Sequence, residues 1–164
     1  MNNTSKLWSR SVLEALVLLF LVLIVLSIPT MLKIALGTPI PLATVESSSM
    51  VPTLNIGDVV IIIGVNPEDI KVGDIIVYNK VSLIPSEKSA VLPLKTPIIH
   101  RVIGIVKVKD KVFFITKGDA NIAKDSWYVP QEGVLGKAIM INGYPLRIPY
   151  VGYFSLFIHN LIGG

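Results

Sequence analysis

A long apolar run near the N-terminus constrains this chain more than any other feature. Residues 11–32 contain one charged side chain, Glu14, near the start of the run. As an α-helix these 22 residues would measure about 33 Å, enough to cross the roughly 30 Å hydrocarbon core of a bilayer. The rest of the chain is too small to cover such a helix on all faces, which disfavours a buried core helix. A cleaved leader is disfavoured because the run ends in Pro29 instead of a small-x-small motif. We therefore predict a transmembrane helix.

The charges that flank this run predict its direction. Lys6 and Arg10 precede it, whereas Lys33 alone follows it closely. Positive residues favour the cytoplasmic side, so residues 1–10 are predicted to be cytoplasmic and the rest of the chain extracytoplasmic. Pro29 is expected to end or kink the helix near the outer face. We predict a single-pass protein of the cell membrane, or of the endoplasmic-reticulum membrane if the source is eukaryotic.

Composition excludes several classes of function. With 52% hydrophobic and 16% charged residues, the chain is too apolar to be disordered. It has no cysteine, and its two histidines are far apart, so no usual zinc spacing is present and we predict neither metal nor cofactor. The 15 Lys and Arg residues are scattered, which argues against nucleic acid as a partner. The modest net charge of +4 allows some attraction to anionic lipid headgroups.

Beyond the apolar run the pattern changes to short β-branched segments. Val59–Ile63 follows a Gly-Asp pair, and so does Ile75–Tyr78, while further runs occupy 98–99, 102–108, 112–116 and 135–141. Turn residues separate these runs, which predicts strands. We predict a mainly β domain over residues 33–149, folded as a small, coiled, mostly antiparallel sheet or partial barrel. Residues 80–97 indicate a long loop or an extended hairpin, and the apolar tail 150–164 indicates an interfacial segment.

Ser49 is the leading candidate for a nucleophile in this domain. It is the third of three serines and is followed by Met50, Val51 and Pro52. Three serines alone would indicate only a polar loop. Pro52 fixes its own φ and biases the preceding residue towards an extended conformation, so a stiff turn is expected just after the serine. A serine hydroxyl is a weak nucleophile by itself and needs a base nearby.

His100 is the candidate base, and two aspartates are candidates to orient it. His100 begins a His-Arg-Val-Ile-Gly strand, and an imidazole suits proton transfer near neutral pH. Asp119 and Asp125 follow in the segment Gly118 to Asp125. A carboxylate bonded to the imidazole would fix its tautomer and stabilise the imidazolium. Spacing alone does not decide between the two aspartates.

Together these segments resemble the type I signal peptidases, in particular their archaeal and endoplasmic-reticulum branch. An anchor, a Ser-x-Ser-Met-x-Pro box, Gly-Asp strand starts, a His-Arg-Val box and a Gly-Asp-x-Asn box occur in the family's order. The resemblance implies Ser49 as nucleophile, His100 as base, Asp125 as the acid of the triad and Asp119 in a supporting role. It implies that the Ser47 side chain and the Ser49 backbone N–H stabilise the oxyanion. Family members commonly have glycine where this chain has Ser48, which puts the geometry of that loop in question.

The same resemblance implies a substrate and its partners. The enzyme would remove signal peptides from exported preproteins at small-x-small sites through an acyl-enzyme, with the substrate extended along a strand edge. We expect Val45, Met50 and Ile76 to line the pockets for the small residues. Preproteins, the lipid bilayer and the protein translocation machinery are the implied partners.

Two other interpretations are compatible with parts of this pattern. A non-catalytic, membrane-tethered β-domain subunit that binds emerging chains would make the serine, histidine and aspartates structural. A self-cleaving repressor also has a Ser-Met-x-Pro box, but it would carry lysine as base and a DNA-binding segment, and this chain shows an anchor instead.

Overall fold

The structure is a computed structural model that describes the backbone of residues 3–154 and 157, and the side chains from Val12 onward. It divides into two compact units between Ala35 and Leu36. The first unit is helical and the second contains the sheet.

The first unit contains one α-helix, α1 (Asn3–Leu36), whose last residue is the first of the second unit. Its segment Val12–Leu36 is long and apolar enough to cross a membrane, and none of it is buried. An exposed apolar helix of this length is compatible with a single-pass membrane protein. Pro29 was expected either to end or to kink the helix. The helix continues through Pro29 to Leu36, so the proline does not end it. A proline removes only one bond of the helix ladder, and the helix formers that follow it continue the ladder.

The second unit is built from strands joined by turns, as the β-branched runs predict; most strands are short, but one has 17 residues. Three single turns of 3-10 helix interrupt them at Ser48–Met50, Pro67–Asp69 and Gln131–Gly133. In chain order the strands are β1 (Leu42–Thr44), β2 (Val59–Ile63), β3 (Ile75–Val81), β4 (Leu92–Val108), β5 (Lys111–Lys117), β6 (Val129–Pro130), β7 (Val134–Ala138), β8 (Met140–Ile141), β9 (Tyr144–Pro145) and β10 (Arg147–Ile148).

These strands confirm a mainly β, antiparallel domain behind one apolar helix. The main sheet has the order β1-β2-β7-β3-β4-β5-β6, with β10 also pairing with β2, while β8 and β9 form a separate hairpin. β3 and β4 pair at Lys80↔Pro93 and Val81↔Leu92. The second half of the predicted 80–97 loop is therefore strand, which agrees with the extended-hairpin alternative.

The core lies on both sides of β3. Ile75 and Val77 pack into one buried cluster with Val45 and Met50. Ile76 and Tyr78 point the other way, into a second cluster around Val102 and Phe114. Successive strand residues face opposite sides, so a strand buried on both faces divides the core in this way. β3 is thus fixed from both sides, which makes it a rigid support for its neighbour β4.

The first residues of the apolar tail pack against the β domain. The N–H of Gly152 donates to the carbonyl oxygen of Gly57 at 2.8 Å, and the ring of Tyr153 lies against the same glycine. Tyr150 and Phe154 are exposed. The rest of the predicted interfacial segment, apart from Phe157, lies outside the described residues.

Candidate active site

Ser49 lies in the single 3-10 turn Ser48–Met50 that follows β1. Met50 is fully buried in the core, and its carbonyl accepts a hydrogen bond from the N–H of Leu54 at 2.9 Å. On the other side of the turn, Ser47 is extended, with φ −131° and ψ 164°. The half-buried Ser49 side chain is thus held at the surface because its neighbour is anchored in the core.

Ser48 is compatible with this turn, although the family commonly has glycine there. Of the residues that the structure describes, the non-glycine residues with positive φ are Lys109, Asn142 and Tyr150. Ser48 therefore has an ordinary helical backbone, and its side chain is exposed. The turn does not require the conformational freedom of glycine at this position.

His100 lies in β4 opposite Ile76 of β3, and β4 contacts the Ser48–Met50 turn. Its Nε2 is 3.1 Å from Ser49 Oγ, and its Nδ1 is 2.7 Å from Asp125 Oδ2. A neutral imidazole that donates from Nδ1 to a carboxylate has a free lone pair on Nε2. The imidazole is therefore placed to accept the serine proton.

Asp125 follows β5 and is fixed by Thr116 and by β3. Its N–H donates to the Thr116 carbonyl oxygen at 2.9 Å. Its Oδ2 accepts hydrogen bonds from Thr116 Oγ1 at 2.6 Å and from the Tyr78 hydroxyl at 3.1 Å, in addition to that from His100. Burial alone raises the pKa of the Asp125 carboxyl, but hydrogen bonds from His100 and Thr116 outweigh it and hold that pKa below its ordinary value. Asp125 is therefore ionised at neutral pH.

Asp119 does not contact the imidazole and instead pairs with Arg101. The guanidinium donates to both carboxylate oxygens, from Nε at 2.8 Å and from an Nη at 2.6 Å. Arg101 also donates to the Gly73 carbonyl at 2.8 Å. Burial opposes ionisation of Asp119, yet hydrogen bonds from Arg101 and Thr53 keep its pKa below the ordinary value. Asp119 thus connects the loop after β5 to β4 through Arg101, the residue that follows His100.

The same loop is bonded directly to the nucleophile segment. The N–H of Ala120 donates to the Ser49 carbonyl oxygen at 2.8 Å. Gly118 passes so close that a Cβ there would lie 2.6 Å from that oxygen and 3.0 Å from His100 Nε2. A glycine is therefore required by space at this position, and its small size allows serine, histidine and loop to meet.

A cavity of about 500 Å³ opens beside Ser49 and His100. The segment that ends at Ser47 forms one wall and the part of β4 before His100 forms another, with Asn121 and Trp127 from the segments after β5. A cavity of this size suits a few residues of an extended peptide. Ser47 Oγ lies 3.1 Å from Ser49 Oγ, and both residues line the cavity.

The three residues expected to line substrate pockets are placed differently. Val45 lines the cavity. Met50 and Ile76 are fully buried in the two core clusters and are not among the lining residues. Sequence reasoning missed Trp127 and Asn121, which do line it. Both lie in irregular chain after β5, so strand periodicity carried no signal for them.

Comparison with known proteins identifies the family of this chain. A model of the family described as signal peptidase, peptidase S26 matches residues 12–117. The chain is 32% identical to the signal peptidase complex catalytic subunit of Sclerotinia sclerotiorum, over 77% of this chain and 69% of that protein. It is 31% identical to the corresponding subunit of Metarhizium acridum, with the same coverage. It is also 31% identical to an uncharacterized protein of Methanocaldococcus jannaschii, over 70% of this chain and 81% of that one.

The antiparallel β domain thus holds Ser49, His100 and Asp125 in one hydrogen-bonded series. The chain is a member of the signal peptidase family, peptidase S26. That membership confirms the predicted resemblance and makes it a relative of the catalytic subunits of the endoplasmic-reticulum type.

Proposed function

We propose that this protein is a membrane-anchored serine endopeptidase that removes signal peptides from exported preproteins. One observation supports it above all others: Ser49 Oγ, His100 and Asp125 Oδ2 form a continuous hydrogen-bonded series, with contacts of 3.1 Å and 2.7 Å. This series begins beside a cavity with room for a peptide. It combines a nucleophile, a base and an ionised orienter in the arrangement that serine peptidases use.

The proposed reaction begins when a peptide carbonyl lies against Ser49. His100 Nε2 takes the hydroxyl proton while Oγ attacks the carbonyl carbon, and Asp125 stabilises the resulting imidazolium. The Ser49 N–H and Ser47 Oγ stabilise the negative oxygen of the tetrahedral intermediate. His100 then gives the proton to the leaving amine. Water, activated by the same imidazole, hydrolyses the acyl-enzyme and restores Ser49.

The walls of the cavity support an extended substrate with small side chains near the cut. Ala43 and Ile99 present apolar surface with the buried Val45 beside them, and β1 and β4 supply backbone for strand-like pairing with the peptide. Small residues at the first and third positions before the cut fit beside these walls. Met50 and Ile76 act behind them, as core residues that hold Ser49 and β4.

The proposed location follows from α1 and its flanking charges. The apolar segment Val12–Leu36 would span the bilayer, with the N-terminus in the cytoplasm and the β domain on the opposite side, where signal peptides emerge from the translocation machinery. The membrane is the cell membrane, or the endoplasmic-reticulum membrane in a eukaryotic source.

A cleavage assay with a matched pair of serine variants tests the proposal. Detergent-solubilised full-length protein would be mixed with a preprotein bearing an Ala-x-Ala site, and the new N-terminus would be sequenced. Ser49→Ala should abolish cleavage. Ser48→Ala should retain it, because that exposed side chain lies outside the hydrogen-bonded series. Cleavage by folded Ser49→Ala protein would refute the assignment, whereas no cleavage by folded wild type would favour a non-catalytic subunit.

A further inference from the structure

One oxygen of Asp125 is bonded to more donors than the triad needs. Oδ2 accepts from His100 Nδ1 at 2.7 Å, from Thr116 Oγ1 at 2.6 Å and from the Tyr78 hydroxyl at 3.1 Å. An oxygen with two lone pairs is saturated by this set. The two additional donors therefore affect both the direction and the charge of the oxygen that faces His100.

The Tyr78 hydroxyl is fixed in its role as donor. Trp127 Nε1 donates to the Tyr78 oxygen at 3.3 Å, so the hydroxyl proton points away from the indole. Of the two other polar neighbours of the hydroxyl, Asp125 Oδ2 at 3.1 Å is nearer than Thr116 Oγ1 at 3.3 Å, and it is the charged one. Tyr78 is fully buried, and burial raises the pKa of its hydroxyl far above the ordinary value. The hydroxyl therefore keeps its proton throughout the pH range in which a histidine base operates.

Trp127 connects this arrangement to the substrate cavity. It lines the cavity, and its Nε1 bonds to Tyr78, which is in turn bonded to Asp125. A series of hydrogen bonds thus runs from the cavity wall at Trp127, through the buried Tyr78, to Asp125.

We propose that Tyr78 is a positioning residue of the catalytic centre: its buried hydroxyl, held by Trp127, aims the Asp125 oxygen at His100 and disperses that oxygen's negative charge. Thr116 does the same from β5. The inference rests on the proposed function of the triad, because positioning matters only if His100 acts as the base.

The other charges around His100 are fixed, so the effect of Tyr78 can be isolated. Asp125 faces the imidazole from the segment after β5. Asp119 lies further off in the loop and is neutralised by Arg101, which neighbours His100 in β4. None of these groups contacts the Tyr78 hydroxyl except Asp125. Removal of that hydroxyl therefore acts on the imidazole through the Asp125 carboxylate, both directly and by way of Thr116 Oγ1, which lies 3.3 Å from the hydroxyl and donates to the same oxygen.

The expected consequence is a shift in pH dependence. In Tyr78→Phe the Asp125 oxygen has one donor fewer, so more of its charge acts on His100 and the imidazolium form is favoured. The acidic limb of kcat/KM should move to higher pH by about half a unit. The plateau of kcat should fall about tenfold because the carboxylate is less well oriented. A purely structural role would reduce the yield of folded protein and leave the limb where it is.

The experiment compares purified full-length variants on a preprotein substrate from about pH 5 to about pH 9. Tyr78→Phe and Thr116→Val should both move the acidic limb upward. Ser82→Ala is the matched control, because it loses a fully buried hydroxyl that bonds to the Ile84 carbonyl at 2.8 Å and not to the triad. An unmoved limb in folded, active Tyr78→Phe protein overturns the positioning role.

A second measurement separates this inference from the proposed function. The chain has two histidines, so His159→Gln leaves the imidazole of His100 as the single one to follow by NMR titration. With Tyr78→Phe added, the titration midpoint should move upward whether or not cleavage is measured. A moved midpoint together with inactive wild type counts against the proposed function alone. An unmoved midpoint counts against the link from Tyr78 to His100.

Discussion

Gly118→Ala should disable the site while leaving the domain folded. The added Cβ would lie 2.6 Å from the Ser49 carbonyl oxygen, 2.8 Å from Asn121 Nδ2 and 3.0 Å from His100 Nε2. Ordinary van der Waals contact begins at 3.4 Å. The nearest obstacle is backbone, which does not swing aside as a side chain would, so the segments must separate by about 0.8 Å.

That separation acts on the atoms that perform the proposed chemistry. It loosens the bond from the Ala120 N–H to the Ser49 carbonyl and moves Ser49 Oγ relative to His100 Nε2. A misplacement of about 1 Å costs on the order of 100-fold in rate, whereas overpacking of this kind costs about 1–3 kcal/mol of stability. We therefore expect kcat/KM to fall about 100-fold in a protein that still unfolds cooperatively.

The assay needs a control glycine at which an added Cβ would meet a movable side chain instead of backbone. A Cβ at Gly104 in β4 would meet first the end of the Ile115 side chain, at 3.3 Å, which is able to move. Gly104→Ala should keep cleavage within about threefold of wild type. Both variants would be measured for kcat/KM and for thermal unfolding. Full activity in Gly118→Ala would show that the contact between this loop and Ser49 is not needed for catalysis.

Three further predictions follow from the same site. Ser47→Ala should lower kcat on a preprotein about 100-fold with little change in KM, because in the proposed mechanism its hydroxyl stabilises the oxyanion; an unchanged kcat in steady-state kinetics would remove it from that role. Asp119→Asn should lower the free energy of unfolding by about 2 kcal/mol, since it breaks the paired bonds to Arg101; denaturant titration measures this, and no loss would contradict it. The pKa values of Asp119 and Asp125 are lower in the folded protein than in the unfolded chain. Their contribution to the free energy of unfolding is therefore fully present above about pH 4 and decreases as the pH falls through the lowered values. A stability profile that is flat below pH 4 would argue against both ion pairs.

The strands could be predicted from sequence because each has a local signal, and the candidate site residues could be selected by their chemistry and by resemblance. β2 and β3 are β-branched runs that follow Gly-Asp turns, and Ser49, His100 and Asp125 lie in short boxes whose residue types are chemically distinctive. The structure brings those three together. The structure also distinguishes the contacts of the two aspartates, which their spacing in the sequence did not. Asp125 bonds to the imidazole, and Asp119 bonds to Arg101.

The cavity walls could not be predicted in the same way. A strand with a continuous apolar run is buried on both faces, so its sequence does not reveal which residues face a cavity. Ile76 was expected to line the substrate pockets, yet its neighbour Val77 is a lining residue and Ile76 is core. The contact between Tyr78 and Asp125 joins residues 47 positions apart. No local pattern encodes such a pair, because it depends on how β3, β4 and β5 are arranged.

The wide sequence separation within the triad has a consequence for synthesis. His100 is 51 positions from Ser49 and 25 from Asp125. Closing loops of this length is slow relative to forming a helix, and chains emerge from the ribosome N-terminus first. A nascent copy thus exposes its serine well before the carboxylate has been translated. If the proposed function is correct, the protein becomes catalytically active only when β5 has docked on β4. Each copy is therefore inactive while it is being synthesised.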